Sequence, residues 1–157
     1  MLVIRDHGRR ADPAALAGKA RDVLTLTWDE RRWTRRRATT RAGREVALAL
    51  PTGAVLAPGD ILIEEPDWYL AVEAEPEPVL AAVPRSDAEA VGLAFEIGNR
   101  HFSLALDGDA FLVPDDLAMA HLLSRLGIPW ARRLAVYEPL GAQRGASGQV
   151  EAHTHHG

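Results

Sequence analysis

A proline-rich break near the middle of the chain separates two different hydrophobic patterns. The segment Glu75-Pro76-Glu77-Pro78 interrupts regular structure, because proline lacks a backbone donor and restricts the residue before it. Short alternating apolar runs precede the break, and helical periodicities follow it. We therefore predict an α+β protein with an N-terminal domain at residues 1–75, a second domain at 76–140 and a flexible tail at 141–157.

The first 75 residues have the pattern of an all-β domain. Alternating runs rich in β-branched and aromatic residues predict several short strands, at residues 23–28, 33–39, 44–50, 61–63 and 68–73. Thr40-Arg41-Ala42-Gly43 separates the second run from the third, which indicates a hairpin. Proline- and glycine-containing clusters supply the other turns. These strands predict a small sandwich, with a barrel as the alternative.

The second half alternates strands with amphipathic helices. The predicted order is strand, helix, strand, strand, helix, strand, at residues 79–83, 86–98, 101–106, 110–113, 115–127 and 133–137. Ser86 and Glu89 form a capping box that starts the first helix, and Gly98 is predicted to end it. This order of elements is that of the ferredoxin-like fold.

The composition limits the chemistry that is open to the chain. There is no cysteine among the 157 residues, so a bound metal must use nitrogen and oxygen ligands. The N-terminus lacks the pattern of a signal peptide, and no apolar run reaches the ~20 residues that span a bilayer. We find no nucleotide-binding or hydrolase motif. These features predict a cytoplasmic protein that is not an enzyme and has no membrane partner.

The histidines are the candidate metal ligands. His153, His155 and His156 lie within the last five residues, where a short chain segment can wrap around an ion; a solvated tail or a tag remnant is the alternative. His101 is predicted to open a strand and to share its uncovered face with Ser103 and Ala105. A twofold axis through that face would bring two His101 rings together, and the tails could complete the ligand set. Imidazole ligation suits Ni²⁺, Cu²⁺ or Zn²⁺ equally on these grounds.

Arginines are concentrated between Arg31 and Arg44, although the net charge of the chain is −4. One interpretation is a solvated or ion-paired hairpin face, because acidic residues crowd the segment from Glu64 to Glu77. The alternative is a basic surface that binds an acidic protein surface or, in an RNA- or ribosome-associated binding module, RNA. Only Trp28 and Trp33 are available nearby for base stacking, so the sequence favours the first interpretation.

Several segments resemble the urease accessory protein UreE family. In the N-terminal half these are Leu24-Thr25-Leu26-Thr27-Trp28-Asp29-Glu30-Arg31 and Gly43-Arg44-Glu45-Val46-Ala47-Leu48-Ala49-Leu50-Pro51. In the second half, Glu96-Ile97-Gly98-Asn99-Arg100-His101 is similar to the most distinctive segment of the family, a helix end followed by G-N-R-H. Tyr137-Glu138-Pro139 and the histidine-bearing tail also fit, so the resemblance covers the chain from about Leu24 to its end.

The resemblance implies a nickel metallochaperone. It implies a β-rich domain for protein contacts and a homodimer in which His101 of each subunit binds Ni²⁺, with tail histidines as added ligands. The ion would pass to apo-urease during urease maturation, together with the GTPase UreG and other accessory proteins. Two departures from the family limit this expectation. Phe111-Leu112-Val113 lacks the extra histidines of some relatives, and three tail histidines do not match a storage role.

Overall fold

A computed structural model describes residues 1–141. These residues form two compact units. The first unit comprises Met1–Val79 and Arg133–Tyr137, and the second comprises Leu80–Arg132 and residues 138–141. The predicted tail therefore lies, apart from Gly141, outside the described residues. The longest helix in the described part has 13 residues, and none there is long and apolar enough to cross a membrane.

Ten strands and four helices make up the described part of the chain. The strands are β1 (Leu2–Ile4), β2 (Ala20–Leu26), β3 (Arg35–Thr39), β4 (Glu45–Ala49), β5 (Ile61–Glu64), β6 (Trp68–Ala74), β7 (Glu77–Ala82), β8 (Ala105–Asp107), β9 (Ala110–Pro114) and β10 (Trp130–Ala135). The helices are α1 (Pro13–Leu16), α2 (Trp28–Arg31), α3 (Asp87–Asn99) and α4 (Leu117–Leu126).

Two three-stranded sheets form the first unit. Their strand orders are β1-β4-β3 and β2-β6-β5, and β3 and β4 form the predicted antiparallel hairpin. Side chains from both sheets meet in one buried cluster, which includes Val46 and Leu48 from the first sheet and Leu24, Leu70 and Val72 from the second. Two sheets that share a core in this way confirm the predicted small sandwich.

The second half of the chain forms a four-stranded sheet in the order β10-β7-β9-β8. The chain passes from β7 through α3 to β8, then directly to β9, and through α4 to β10. This order confirms the ferredoxin-like arrangement. The core contains Leu93 and Ile97 of α3, Met119 and Leu123 of α4, and Leu80 of β7. The α+β class predicted from the sequence is therefore correct.

Two predicted elements are wrong in their details. The strand predicted at residues 101–106 begins only at Ala105, so the alternation of faces does not apply to His101. Ala105 is buried and Leu106 is 51% exposed, which reverses the predicted burial of these two residues. In the first half, Trp28 begins α2 instead of ending a strand. Thr27 and Glu30 form a capping box there, and each satisfies a free backbone donor of the other.

A buried carboxylate fixes the β3–β4 turn to β2. Asp22 is only 3% exposed and accepts hydrogen bonds from Val23 N (2.8 Å), Thr40 Oγ1 (2.6 Å), Ala42 N (3.0 Å) and Arg44 Nη1 (2.8 Å). Burial of the carboxyl group raises its pKa, but the four hydrogen bonds outweigh burial and hold the pKa of Asp22 below its ordinary value of 3.8. The carboxylate form therefore stabilises the folded state.

Replacing Asp22 by Asn is expected to lower the free energy of unfolding by about 3 kcal/mol at neutral pH, because an amide cannot accept all four hydrogen bonds. Because the folded-state pKa is lowered, this contribution is complete above about pH 4 and disappears as the pH falls through the lowered value. Urea unfolding at several pH values measures the difference, with the exposed Asp6→Asn as the control. A difference that stays constant down to about pH 2 would contradict this account.

Candidate metal site

His101 lies immediately beyond the C-terminal end of α3. Its φ angle is 58°, and it is the one non-glycine residue with positive φ among residues 1–141. The His101 N–H donates to Gly98 O (3.0 Å) and the Phe102 N–H donates to Ile97 O (3.3 Å). These two bonds form a Schellman motif, in which the residue after the helix adopts the left-handed conformation. Phe102 packs on the core cluster that contains Ile97, a hydrophobic contact that frequently accompanies this motif.

Glycine is the usual residue at the position that His101 occupies. A side chain in the left-handed region costs about 1–2 kcal/mol relative to the right-handed helix. The prediction that Gly98 ends the helix is wrong: Gly98 is inside α3, and the left-handed position falls three residues later. A histidine at a position that favours glycine makes His101 a candidate functional residue.

The last turn of α3 is held by Arg100, which precedes His101. The Arg100 guanidinium donates to the backbone oxygen of Glu96 (3.0 Å) and forms an ion pair with the Glu96 carboxylate. Arg100 N–H also donates to Ile97 O (3.2 Å). These bonds fix the backbone on the N-terminal side of His101, while the His101 side chain itself remains exposed to solvent.

An exposed apolar stripe runs along α3 toward His101. Leu93 and Ile97 face the core, and the opposite side of the helix carries Val91, which is 70% exposed, and Phe95, which is 66% exposed. Gly92 and Gly98 are exposed beside them, and a Cβ atom at either glycine would meet nothing within 4 Å. We did not identify this stripe from the sequence. The signal was present, because Val91 and Phe95 are four residues apart and therefore lie on one helix face.

The structure does not bring the candidate ligands together in one chain. His121 is exposed on α4, His7 is exposed near the N-terminus, and His153, His155 and His156 lie outside the described residues. Within residues 1–141, no group of three or more histidine, aspartate or glutamate side chains is arranged to hold a metal ion. Residues 1–141 of one chain therefore contribute a single exposed imidazole to the candidate site, that of His101 at the end of α3.

The root of the tail is hydrogen-bonded to a residue that is close in sequence to His101. Leu140 N–H donates to Leu104 O (2.7 Å), and Leu104 is three residues after His101. Three residues of extended chain span at most about 11 Å. The tail therefore leaves the described structure near the segment that carries His101.

Most of the arginine-rich stretch is neutralised within the first unit. Arg36 pairs with Glu30 (2.8 Å), Arg41 with Glu73 (3.0 Å) and Arg44 with Asp22 (2.8 Å). Arg32 pairs with Asp29, and Arg31 is buried with its guanidinium donating to Tyr137 O (3.0 Å). The hydrogen bond from Arg21 (2.6 Å), supported by Arg41, lowers the pKa of Glu73. These pairs agree with the interpretation of the stretch as an ion-paired hairpin face, and they leave little support for an RNA-binding surface.

Family comparisons cover both halves of the chain. Residues 3–75 match the family model described as the UreE urease accessory protein N-terminal domain, and residues 77–157 match that of the C-terminal domain. The urease accessory protein UreE of Deinococcus radiodurans is 41% identical over 79% of this chain and 79% of its own length. That of Ectopseudomonas mendocina is 38% identical over all of this chain and 90% of its own length. That of Ralstonia nicotianae is 34% identical over 90% of this chain and 66% of its own length.

Both domain models match in their expected order, and the sandwich and ferredoxin-like folds agree with the two matched halves. The relatives bear the same name and span most of this chain. The chain therefore belongs to the UreE family of urease accessory proteins, which confirms the resemblance and the prediction that it is an accessory protein and not an enzyme.

Proposed function

We propose that this protein is a nickel metallochaperone that delivers Ni²⁺ to apo-urease. The observation that carries the proposal is the exposed His101 in a left-handed conformation, at the end of the G-N-R-H segment. A solvent-accessible imidazole on a fixed backbone can bind an ion and release it again. Imidazole also suits Zn²⁺ and Cu²⁺, which we regard as competing ions. The cytoplasm, where apo-urease and the GTPase UreG would be met, remains the expected location.

A second copy of the chain would supply a second imidazole ligand. A single histidine does not bind an ion tightly, and residues 1–141 of one chain contain no metal-binding cluster. In an isologous dimer a residue near the twofold axis meets its own copy. Two His101 rings near such an axis would hold one ion between them. We therefore propose that the protein acts as a homodimer with one tight site per two chains.

The exposed stripe of α3 is the surface that we propose for dimerisation. It contains Val91 and Phe95, and it ends at His101. Exposed glycines beside Phe95 would let a second helix approach closely. The sequence suggested the uncovered face of the sheet for this contact, but His101 does not lie on a strand and Ala105 is buried. The α3 face is therefore the better candidate.

Tail histidines can reach the proposed site. His153 is 13 residues beyond Leu140, and an extended chain of that length spans about 45 Å. The reach includes His101 of the same chain and His101 of a second copy across a helix–helix contact. We propose that His153, His155 and His156 add ligands after the first ion has bound between the two His101 rings.

Truncation after Gly141 is expected to weaken nickel binding by about tenfold and to leave the dimer intact, because the tail adds ligands to a site that His101 has already formed. Calorimetric titration of the shortened protein with nickel measures this change. A shortened protein that bound no nickel at all would place the primary site in the tail and contradict the order of binding proposed above.

Transfer of nickel to urease tests the proposed function directly. Apo-urease is mixed with the nickel-loaded protein in the presence of a chelator that removes free nickel, and urease activity is followed. We expect activity to return with the intact protein and to remain absent with a His101→Asn variant. Equal activation by both proteins would show that His101 has no part in delivery.

A further inference from the structure

Strand β3 forms one edge of the sheet β1-β4-β3. It pairs with β4 on one side, and no strand within residues 1–141 pairs with its other side. An edge strand presents unpaired backbone groups that can hydrogen-bond an additional strand. Its sequence decides which additional strand it can accept.

The register of the hairpin shows which backbone groups point outward. Leu50 N donates to Thr34 O (2.8 Å) and Thr40 N donates to Arg44 O (2.9 Å), so the residues at even positions of β3 bond to β4. In an antiparallel pair these bonding positions alternate with positions whose N–H and C=O point away. The backbone groups of Arg35, Arg37 and Thr39 therefore face the open edge.

The side chains of the same residues lie on the outer face of the sheet. Arg35, Arg37 and Thr39 are exposed, whereas Arg36 and Ala38 are half-buried on the inner side. On the neighbouring strand, Ala49 is the partner of Arg35 and Ala47 is the partner of Arg37. Because alanine is small, nothing on β4 covers the two guanidinium groups.

Arg35 and Arg37 also differ from the other arginines of this stretch in their charge environment. Five of the seven arginines between Arg31 and Arg44 contact a carboxylate or, for Arg31, a backbone oxygen. Within residues 1–141, no carboxylate forms an ion pair with Arg35 or Arg37. Two uncompensated charges therefore lie two residues apart along a free strand edge.

We propose that β3 binds an extended acidic segment of a partner protein as an added strand. The backbone of that segment would hydrogen-bond the outward groups of Arg35 and Arg37. Carboxylates at every second position would lie on the outer face, opposite the two guanidinium groups, where charge-assisted hydrogen bonds form. This interaction is separate from the nickel site and does not depend on the function proposed for it.

The aromatic contacts favour an acidic protein strand over single-stranded RNA. Stacking of bases requires open aromatic faces. In the first unit, Arg36 lies 4.1 Å from the Trp33 ring centroid and Arg44 lies 3.8 Å from that of Trp68. Two arginines lie over Trp28, each 5.2 Å from its centroid. Guanidinium groups therefore already cover one face of Trp33 and one face of Trp68, which leaves fewer faces for base stacking.

Binding of a synthetic peptide tests the proposal. The probe is a fluorescein-labelled peptide, Thr-Glu-Val-Glu-Val-Glu-Thr, and its control carries glutamine in place of glutamate. Fluorescence anisotropy with the full-length protein is expected to show binding of the glutamate peptide that weakens as salt is raised. The glutamine peptide should bind at least about tenfold more weakly.

Three variants separate the contributions of charge and backbone. Arg37→Glu is expected to weaken peptide binding by about tenfold or more, and Arg125→Glu, an equal charge change at an exposed position of α4, by less than about twofold. Thr39→Pro removes an outward N–H without changing the charge and should also weaken binding. All three should bind nickel as the intact protein does.

The proposal would be overturned by absence of binding to the glutamate peptide, or by unchanged binding in Arg37→Glu. Full binding by Thr39→Pro would overturn strand addition. Tighter binding of a single-stranded polyuridine probe than of the peptide, lost in Arg37→Glu, would identify the surface as an RNA site instead. Because nickel binding is measured on the same variants, none of these results affects the metallochaperone proposal.

Discussion

Replacing His101 by Asn is expected to lower nickel affinity by about 100-fold or more while the protein stays folded. Loss of a group that only supports a ligand already costs about 10- to 100-fold in metal affinity, so loss of the ligand itself should cost at least as much. Asparagine tolerates the left-handed conformation better than most residues, so the end of α3 should keep its backbone. Calorimetric titration with nickel measures the affinity.

Two further variants show whether the effect belongs to the imidazole. His101→Gly should also lose nickel, yet unfold with equal or up to about 1 kcal/mol higher free energy, because glycine is unstrained at positive φ. His121→Asn replaces an exposed histidine of α4 and should bind nickel normally. If His101→Asn bound nickel as tightly as the unchanged protein, His101 would not be a ligand.

Replacing Phe95 by Glu is expected to raise the dissociation constant of the dimer by about 100-fold or more. Burying a valine or phenylalanine side chain contributes about 1.5–3 kcal/mol, and two copies would contribute Val91 and Phe95 twice. Glutamate removes the apolar contact and places two like charges near the twofold axis. Since each 1.4 kcal/mol changes the constant tenfold, loss of even two contacts accounts for the expected change.

Sedimentation velocity over a range of protein concentrations measures this dissociation. Leu117→Glu is the matched control, because Leu117 is 70% exposed, close to the 66% of Phe95, but lies at the start of α4. Glutamate is favoured in the first turn of a helix, so this control should fold and dimerise normally. In Phe95→Glu, nickel affinity should fall because the dimer dissociates. An unchanged dimer in that variant would place the contact on another surface.

The architecture was predictable from the sequence because it depends on local patterns. The break at Glu75–Pro78, the turn at Thr40–Gly43 and the capping box at Ser86 each indicate an element boundary through nearby residues. The spacing of hydrophobic residues, alternating in strands and helical in helices, then predicted the sandwich and the ferredoxin-like order. The structure differs at boundaries, such as β7, which begins at Glu77 instead of Val79. It also contains β1 and α1, which lie before the first strand predicted from the sequence.

The conformation of His101 was not predictable in the same way. Sequence rules place glycine at the left-handed end of a helix, and they selected Gly98. The helix continues to Asn99 because Ile97 is buried in the core and Phe102 packs on the same cluster, which places His101 at the left-handed position. Tertiary packing therefore decided where α3 ends.

The ion pairing of most arginines in this stretch also required the fold. Asp22 and Arg44 are 22 residues apart, and Glu73 and Arg41 are 32 residues apart. Their pairing depends on how β2 and β6 lie beside the hairpin, which no local pattern specifies. The sequence showed only that opposite charges were available in separate segments.

Native mass spectrometry of the nickel-loaded protein tests whether two His101 residues share one ion, because it reports the mass of the assembly and the number of bound ions together. We expect a dimer that retains one nickel ion after weakly bound metal has been removed. We also expect the His101→Asn dimer to retain none. A monomer that retained one nickel ion, or a dimer that retained two equivalent ions, would contradict a site shared between two His101 residues.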